Sequence, residues 1–176
     1  MKLGKLEFGS VKDSKNLIGK PTIQAIESNN LQDVLVAQID PGLSDTTAFC
    51  EHYQYDMDKT VNCVILEAKR ADKLWYAACL VRGTERVDVN GIVRRELDAR
   101  KISFTSMDKA VSLTGMEYGA INPIGLPADW PILVDDAVSR LEHTIVGSGI
   151  RGSKLLVSGS FLGSLPNATV LNIVKG

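Results

Sequence analysis

Three features of this 176-residue sequence predict an α/β (α+β) fold, with a mixed, curled central β-sheet and helices packed outside it. Two β-branched, apolar runs, Thr60–Ala68 and Leu74–Val81, are separated only by Lys69-Arg70-Ala71-Asp72-Lys73, which is the pattern of a hairpin in a sheet. Further strand-like runs alternate with stretches of helical period, but without the steady strand–helix–strand rhythm of a parallel sheet. No repeat or low-complexity segment interrupts the chain.

Taken in order, residues 1–20 are polar, lysine-rich and aperiodic, and predict a loosely packed arm ahead of a single domain over residues 21–176. Pro21 suits the first turn of a helix, where its missing N–H costs nothing. Ile23 and Ile26 share a helical face with Leu31 at its margin, and Asn29-Asn30 ends that helix. Val34–Ile39 is a short strand closed by the Asp40-Pro41-Gly42 turn. Ser44 and Asp45 open the next helix, to about Tyr53, with the acid favoured by the helix dipole. After the hairpin, Val89, Ile92, Val93 and Leu97 line one helical face behind Asp88 as cap. Ser106 caps a helix carrying Ala110, Val111 and Leu113, and Gly115 stops it because glycine accepts the left-handed conformation. Ile132–Asp135, His143–Val146 and Lys154–Val157 are strands, followed by a short helix near Phe161–Leu165 and a last strand, Thr169–Ile173.

Composition narrows the function. Hydrophobic residues make up 44% and charged residues 23%, ordinary for a globular domain. No apolar run approaches the roughly 20 residues of a membrane span, and no early stretch has signal-peptide order, so no membrane partner is expected. Three cysteines without C-x-x-C spacing read as reduced core residues of an intracellular, cytoplasmic protein. With only two histidines, no metal site and no cofactor is expected. A net charge of −1 lacks the global basic surplus of a DNA-binding protein. Two local basic clusters, Arg94-Arg95 with Arg100-Lys101 and Arg151 with Lys154, are either contacts for the phosphates of a nucleic-acid end or solvated faces.

The most informative stretch is Gly119-Ala120-Ile121-Asn122-Pro123-Ile124-Gly125-Leu126-Pro127, which alternates residues of unusual backbone freedom with residues that remove it. Such a loop holds a shape, and its N–H groups can be aimed at a ligand; the plainer alternative is a rigid cap over the sheet. Together with the Arg100–Phe104 run, the Gly119–Pro123 G-x-x-x-P loop, the following G-L-P turn, the strand ending at Asp135, and Val146–Leu155, it resembles the YbaK/EbsC family of aminoacyl-tRNA deacylases. That family includes the editing domain inserted in bacterial prolyl-tRNA synthetases. The similarity runs in the same order from about Leu31 to Val174.

The resemblance implies a trans-editing hydrolase that removes a mischarged amino acid from tRNA by ester hydrolysis. The acceptor end of the mischarged tRNA would be its partner, with or without docking on a cognate aminoacyl-tRNA synthetase. The ester is already activated, so oriented water and backbone N–H groups that stabilise the oxyanion suffice. Gly119, Ala120 and Ile121 would supply those amides, with Asn122 and Pro123 completing the loop and Gly147, Ser148 and Gly149 forming a second wall. The family carries a lysine at the position of Asn62, where this chain has only a neutral amide. Asn62 in an apolar strand either faces a polar pocket or bonds a neighbouring loop. Asp135 either orients the pocket and terminal adenosine or caps the turn that follows. Cys63 alternates with Asn62 and should face away. The missing lysine leaves a second reading: a non-catalytic protein that binds an aminoacyl-tRNA end or a small amino-acid-like ligand.

Overall fold

In the computed structural model, which describes residues 1–176, the N-terminal segment is built into the fold. Strands β1 (Lys2–Leu3) and β2 (Leu6–Glu7) form a small hairpin, and β3 (Gly9–Ser10) joins the edge of a larger sheet. Leu6 and Phe8 are only 1% and 5% exposed, and Val11 and Ile18 are buried as well. A polar composition suggested a loose arm; the few apolar residues here are too sparse to show a period, yet Leu6, Phe8, Val11 and Ile18 each enter a core. Helix α1 (Lys20–Ser28) carries its proline in the first turn and buries Thr22 and Ile26, with Asn29 as C-cap.

Strand β4 (Leu35–Gln38) leads to α2 (Thr46–Tyr53), whose first N–H groups are capped by the Asp45 carboxylate at 3.1 Å and 3.3 Å. The predicted hairpin is β5 (Val61–Arg70) with β6 (Lys73–Arg82), in continuous register from Val61↔Arg82 to Arg70↔Lys73. The helical segment behind Asp88 is a π-helical turn, Val89–Val93, running into the short α3 (Arg94–Glu96). Then come β7 (Lys101–Phe104) and α4 (Met107–Thr114), stopped by Gly115 at φ +68°. After the long loop follow β8 (Ile132–Asp135), α5 (Asp136–Ser139), β9 (Thr144–Gly147), β10 (Ser153–Val157), α6 (Gly159–Gly163) and β11 (Ala168–Leu171). No helix is long and apolar enough to cross a membrane.

The strands form a mixed five-stranded sheet, ordered β11-β8-β6-β5-β7, and an antiparallel four-stranded sheet, ordered β3-β4-β10-β9. One long strand joins them. On the edge away from β6, β5 meets β9 at its start through the parallel bridge Thr60–Ile145, and meets β7 only from Leu66 onward. Residues 62–64 have no strand partner on that edge. The largest core lies where α1 and α4 pack near both sheets, and includes Ile26, Ile65, Ala110 and Leu155.

A packed N-terminal segment has a measurable consequence. Phe8→Ala is expected to cost about 3 kcal/mol of stability in denaturant titration, the range for a buried aromatic truncation. A cost under about 0.5 kcal/mol, as for an exposed residue, would mean the segment is not part of the folding unit.

Candidate functional site

The break in pairing along β5 opens into a cavity of about 680 Å³, within the size range of small-molecule sites. Val61 to Ile65 form one wall of it. The carbonyl of Ile65 accepts from the Thr105 N–H at 3.0 Å. By the two-residue alternation of a strand, the peptide groups of Cys63 therefore point at the same, unpaired edge. Because the cavity opens at an edge rather than over a face, side chains from both faces of β5 reach it. Asn62 lines it, and Cys63 does too, contrary to the expectation that Cys63 faces away. Cys63 is still a poor nucleophile, since burial pushes its thiol well above the ordinary cysteine range.

Asn62 satisfies both alternatives considered for it: it faces the cavity, and its Oδ1 accepts from Thr46 Oγ1 at 3.0 Å at the start of α2. Its Nδ2 has no acceptor in the protein, so the amide presents N–H groups rather than a charge.

The Gly119 loop lies opposite and is fixed by two kinds of contact. Gly149 N–H donates to the Ala120 carbonyl at 2.8 Å, and Glu117 N–H to the Gly149 carbonyl at 2.9 Å. Gly147 makes this closeness possible, since a Cβ there would collide with the Ala120 backbone. Arg151 Nη1 donates to the Tyr118 carbonyl at 3.1 Å. Gly119 sits at φ +77°, and a Cβ on it would come within 3.0 Å of the Arg151 guanidinium and 3.2 Å of Ser44 Oγ. Within the loop the Ala120 N–H is taken by the Glu117 carbonyl at 3.0 Å, so Ala120 is not an available donor. The N–H groups of Gly119 and Ile121 have no protein acceptor, and both residues line the cavity.

The structure does not bring Asn122, Pro123, Asp135, Ser148 or Gly149 to the cavity wall. Asn122 is fully buried: its Nδ2 donates to Thr22 Oγ1 at 2.9 Å and its Oδ1 accepts from Ile124 N–H at 2.7 Å, tying the loop to α1. Pro123 packs inside beside it. Asp135 caps α5 through the Ala137 N–H at 3.1 Å and also accepts from Ile173 N–H at 3.1 Å. Ser148 Oγ is held by the Ile150 carbonyl at 2.9 Å and Ser153 Oγ at 2.6 Å. Gly149, at φ +90°, packs against Gly19. Each of these polar groups is already satisfied inside the protein, so none is left to meet a ligand.

Several polar cavity groups were not singled out from the sequence as site residues, among them Ser44, Thr46, Thr105 and Lys154, and the Thr105 hydroxyl is buried without a partner. Ser44 Oγ is buried without any hydrogen-bond partner. Lys154, known from the sequence only as part of a basic cluster, is 8% exposed and lines the cavity from β10. Its Nζ donates to the Ser44 carbonyl at 3.0 Å and lies 5.3 Å from the Phe49 ring centroid, with no carboxylate at ion-pair distance. Burial pushes its pKa down to about 8; Arg151 adds to the depression, while Cys50 and Asp45 oppose it. The available sequence signal was a lone lysine opening the strand Lys154-Leu155-Leu156-Val157, which is central in its sheet. The cavity thus offers amide, hydroxyl and ammonium donors, a set suited to oxygen acceptors.

The sequence model of a protein family described as "Aminoacyl-tRNA editing domain" matches residues 40–162, which include every cavity-lining residue named above. Among curated proteins, a proline–tRNA ligase of Listeria monocytogenes serotype 4a is 24% identical over 127 residues, 72% of this chain and 21% of that protein. Its counterpart from Listeria monocytogenes serovar 1/2a is 32% identical over 74 residues, 42% of this chain and 13% of that protein. The chain therefore spans about a fifth or less of these relatives. Among solved structures, a candidate trans-editing enzyme for prolyl-tRNA synthetase superposes with a TM-score of 0.77 at 16% identity, over 90% of this chain and 97% of that one. At that identity the likeness shows the fold.

The depressed pKa of Lys154 makes it a cost to folding while it is charged. Its fall from 10.5 to about 8 corresponds to roughly 3 kcal/mol, present in full below pH 8 and lost as pH rises towards 10.5, because the unfolded chain binds the proton more tightly. Lys154→Met is therefore expected to stabilise the protein at pH 7 by on the order of 1–2 kcal/mol, after loss of the bond to Ser44. The gain in midpoint should shrink between pH 8 and pH 10. A destabilised variant, or a gain independent of pH, would contradict the buried ammonium.

Proposed function

The chain belongs to the aminoacyl-tRNA editing domain family, and from that premise we propose that it is a trans-editing hydrolase that cleaves the ester of a mischarged aminoacyl-tRNA. The observation that carries the reading is the pair of unpartnered N–H groups on Gly119 and Ile121, held by the loop's interlock at the rim of a cavity in an open sheet edge. Donors fixed before the reaction lower the barrier because they need no reorganisation as charge develops. Water adds to the ester carbonyl carbon, and the carbonyl oxygen takes up negative charge against these N–H groups. The bond to the ribose oxygen then breaks, and the proton from water ends on that oxygen, releasing a free amino acid and an uncharged tRNA. Asn62 Nδ2 supplies a neutral donor to the bound aminoacyl group.

Two surfaces support a tRNA end as the substrate. Phe104 and Tyr118, 66% and 54% exposed, flank the mouth of the cavity and offer stacking faces for the terminal adenine. Along β7, about 10 Å from Phe104 at strand rise, Arg100 and Lys101 line a basic concavity with Arg94 and Lys69, where phosphates of the acceptor strand would lie. The named relatives are proline–tRNA ligases, so tRNA that accepts proline is the first candidate, with or without a synthetase alongside.

The direct test is release of labelled alanine, serine and cysteine, each mischarged onto tRNA that accepts proline. The wild type is expected to turn over at least one of them, and Asn62→Ala to slow that release about tenfold, the loss of one neutral hydrogen bond. Binding without release of any species would favour the non-catalytic reading, in which the cavity only holds an aminoacyl end. In a separate measurement, Arg100→Glu with Lys101→Glu should raise KM for aminoacyl-tRNA and flatten its dependence on salt while leaving kcat near wild type. An unchanged salt dependence would remove the concavity from the tRNA path.

A further inference from the structure

We propose that Lys154 is the cationic group of the site, its ammonium taking the substrate oxygen on which negative charge develops. This rests on the hydrolase reading above. Four observations converge on it. Lys154 is more than nine-tenths buried, yet its side chain borders the cavity. Only one of its three N–H donors has a hydrogen-bond partner, the Ser44 carbonyl, and no carboxylate neutralises it. Beside it, Ser44 Oγ is buried with no partner, and the virtual Cβ of Gly119 lies 3.2 Å from that oxygen, so the unpaired hydroxyl stands against the loop that carries the free N–H groups. Finally, Lys154 enters from β10 directly across from Gly147, whose missing side chain lets the Ala120 backbone approach that strand.

A buried, uncompensated ammonium is unfavourable to folding and is retained where a ligand completes it. The ligand this donor set fits is an oxygen acceptor that becomes anionic, as an ester carbonyl does on attack. Asn62, across the cavity, has no charge to offer, so the positive potential comes from a different strand. The charged and titratable groups around Lys154 are Asp45 at the head of α2, Cys50 within α2, and Arg151 on the turn before β10. Burial dominates them and places the loss of its proton at about pH 8. The ammonium form is the active one, so activity should fall as pH rises through that value.

The experiment compares wild type, Lys154→Met and Lys154→Arg on the panel member that the wild type hydrolyses, from pH 6.5 to 9, with spontaneous ester hydrolysis subtracted. Lys154→Met should lower kcat by about 100-fold or more with little change in KM, as expected for a donor acting on developing charge. The alkaline fall near pH 8 should vanish in that variant, and Lys154→Arg should restore part of kcat without the fall. Hydrolysis by Lys154→Met within threefold of wild type, with the same pH profile, would overturn the proposal and leave the hydrolase reading intact. If the wild type hydrolyses nothing, that reading fails, and binding of 3′-alanylamido-3′-deoxyadenosine decides about Lys154. Tighter binding by wild type than by Lys154→Met would keep it as the cavity's recognition cation. Equal or undetectable binding would overturn it.

Discussion

The short unpaired stretch of β5 is the constraint from which the site follows. A strand that changed partners without a gap, from β9 directly to β7, would seal its edge with backbone hydrogen bonds and leave no cavity. Edge strands usually invite unwanted pairing and are covered. Here three residues are left open between two neighbours, too few to accept another strand but enough to admit a small ligand. The hairpin with β6 makes the gap tolerable, because its unbroken ladder holds β5 rigid on the other side.

The loop across the gap depends on glycines at contact points. Gly147 and Gly119 are each required because a side chain would strike backbone, or the Arg151 guanidinium and Ser44. The buried amide of Asn122 then anchors the loop's far end to α1 through Thr22. The result is a rigid segment in which the Ala120 N–H and the Asn122 amide are paired within the protein while the N–H groups of Gly119 and Ile121 at the cavity are not. Selective incompleteness of this kind in an otherwise satisfied network is what a binding surface requires.

Stability and function pull against each other at Lys154. It is buried in a central strand with its ammonium beside the Phe49 ring, a position that an apolar residue would fill at no electrostatic cost. A charge kept in such a place, next to an unpartnered hydroxyl, is the feature on which the proposed role of Lys154 rests. By contrast, the ion pair of Glu67 with Lys109 lies near the surface and ties α4 to the sheet, while Lys69 pairs with the same carboxylate from within β5.

How much of this was legible in the sequence varies with how local the cause is. Strand-like runs, the hairpin turn, the Asp45 cap and the Gly115 stop follow from period, propensity and backbone freedom, and the chain alone determined them, as it did the family through the ordered loop motifs. The loop's rigidity was likewise readable from its glycines and prolines. Residues 1–20 were misjudged because isolated apolar residues such as Leu6 and Phe8 show no period, and only non-local packing reveals their burial. Asn122, Asp135 and Ser148 have residue types that suit a pocket, but their hydrogen bonds join segments far apart in sequence or close a local turn, and no spacing rule predicts which use wins. Lys154 was visible as an odd charge in an apolar strand, but not as a cavity group. Its place depends on which strands flank β10 and on where β5 changes neighbours, and pairing of that kind is settled by tertiary register rather than by any local stretch of residues.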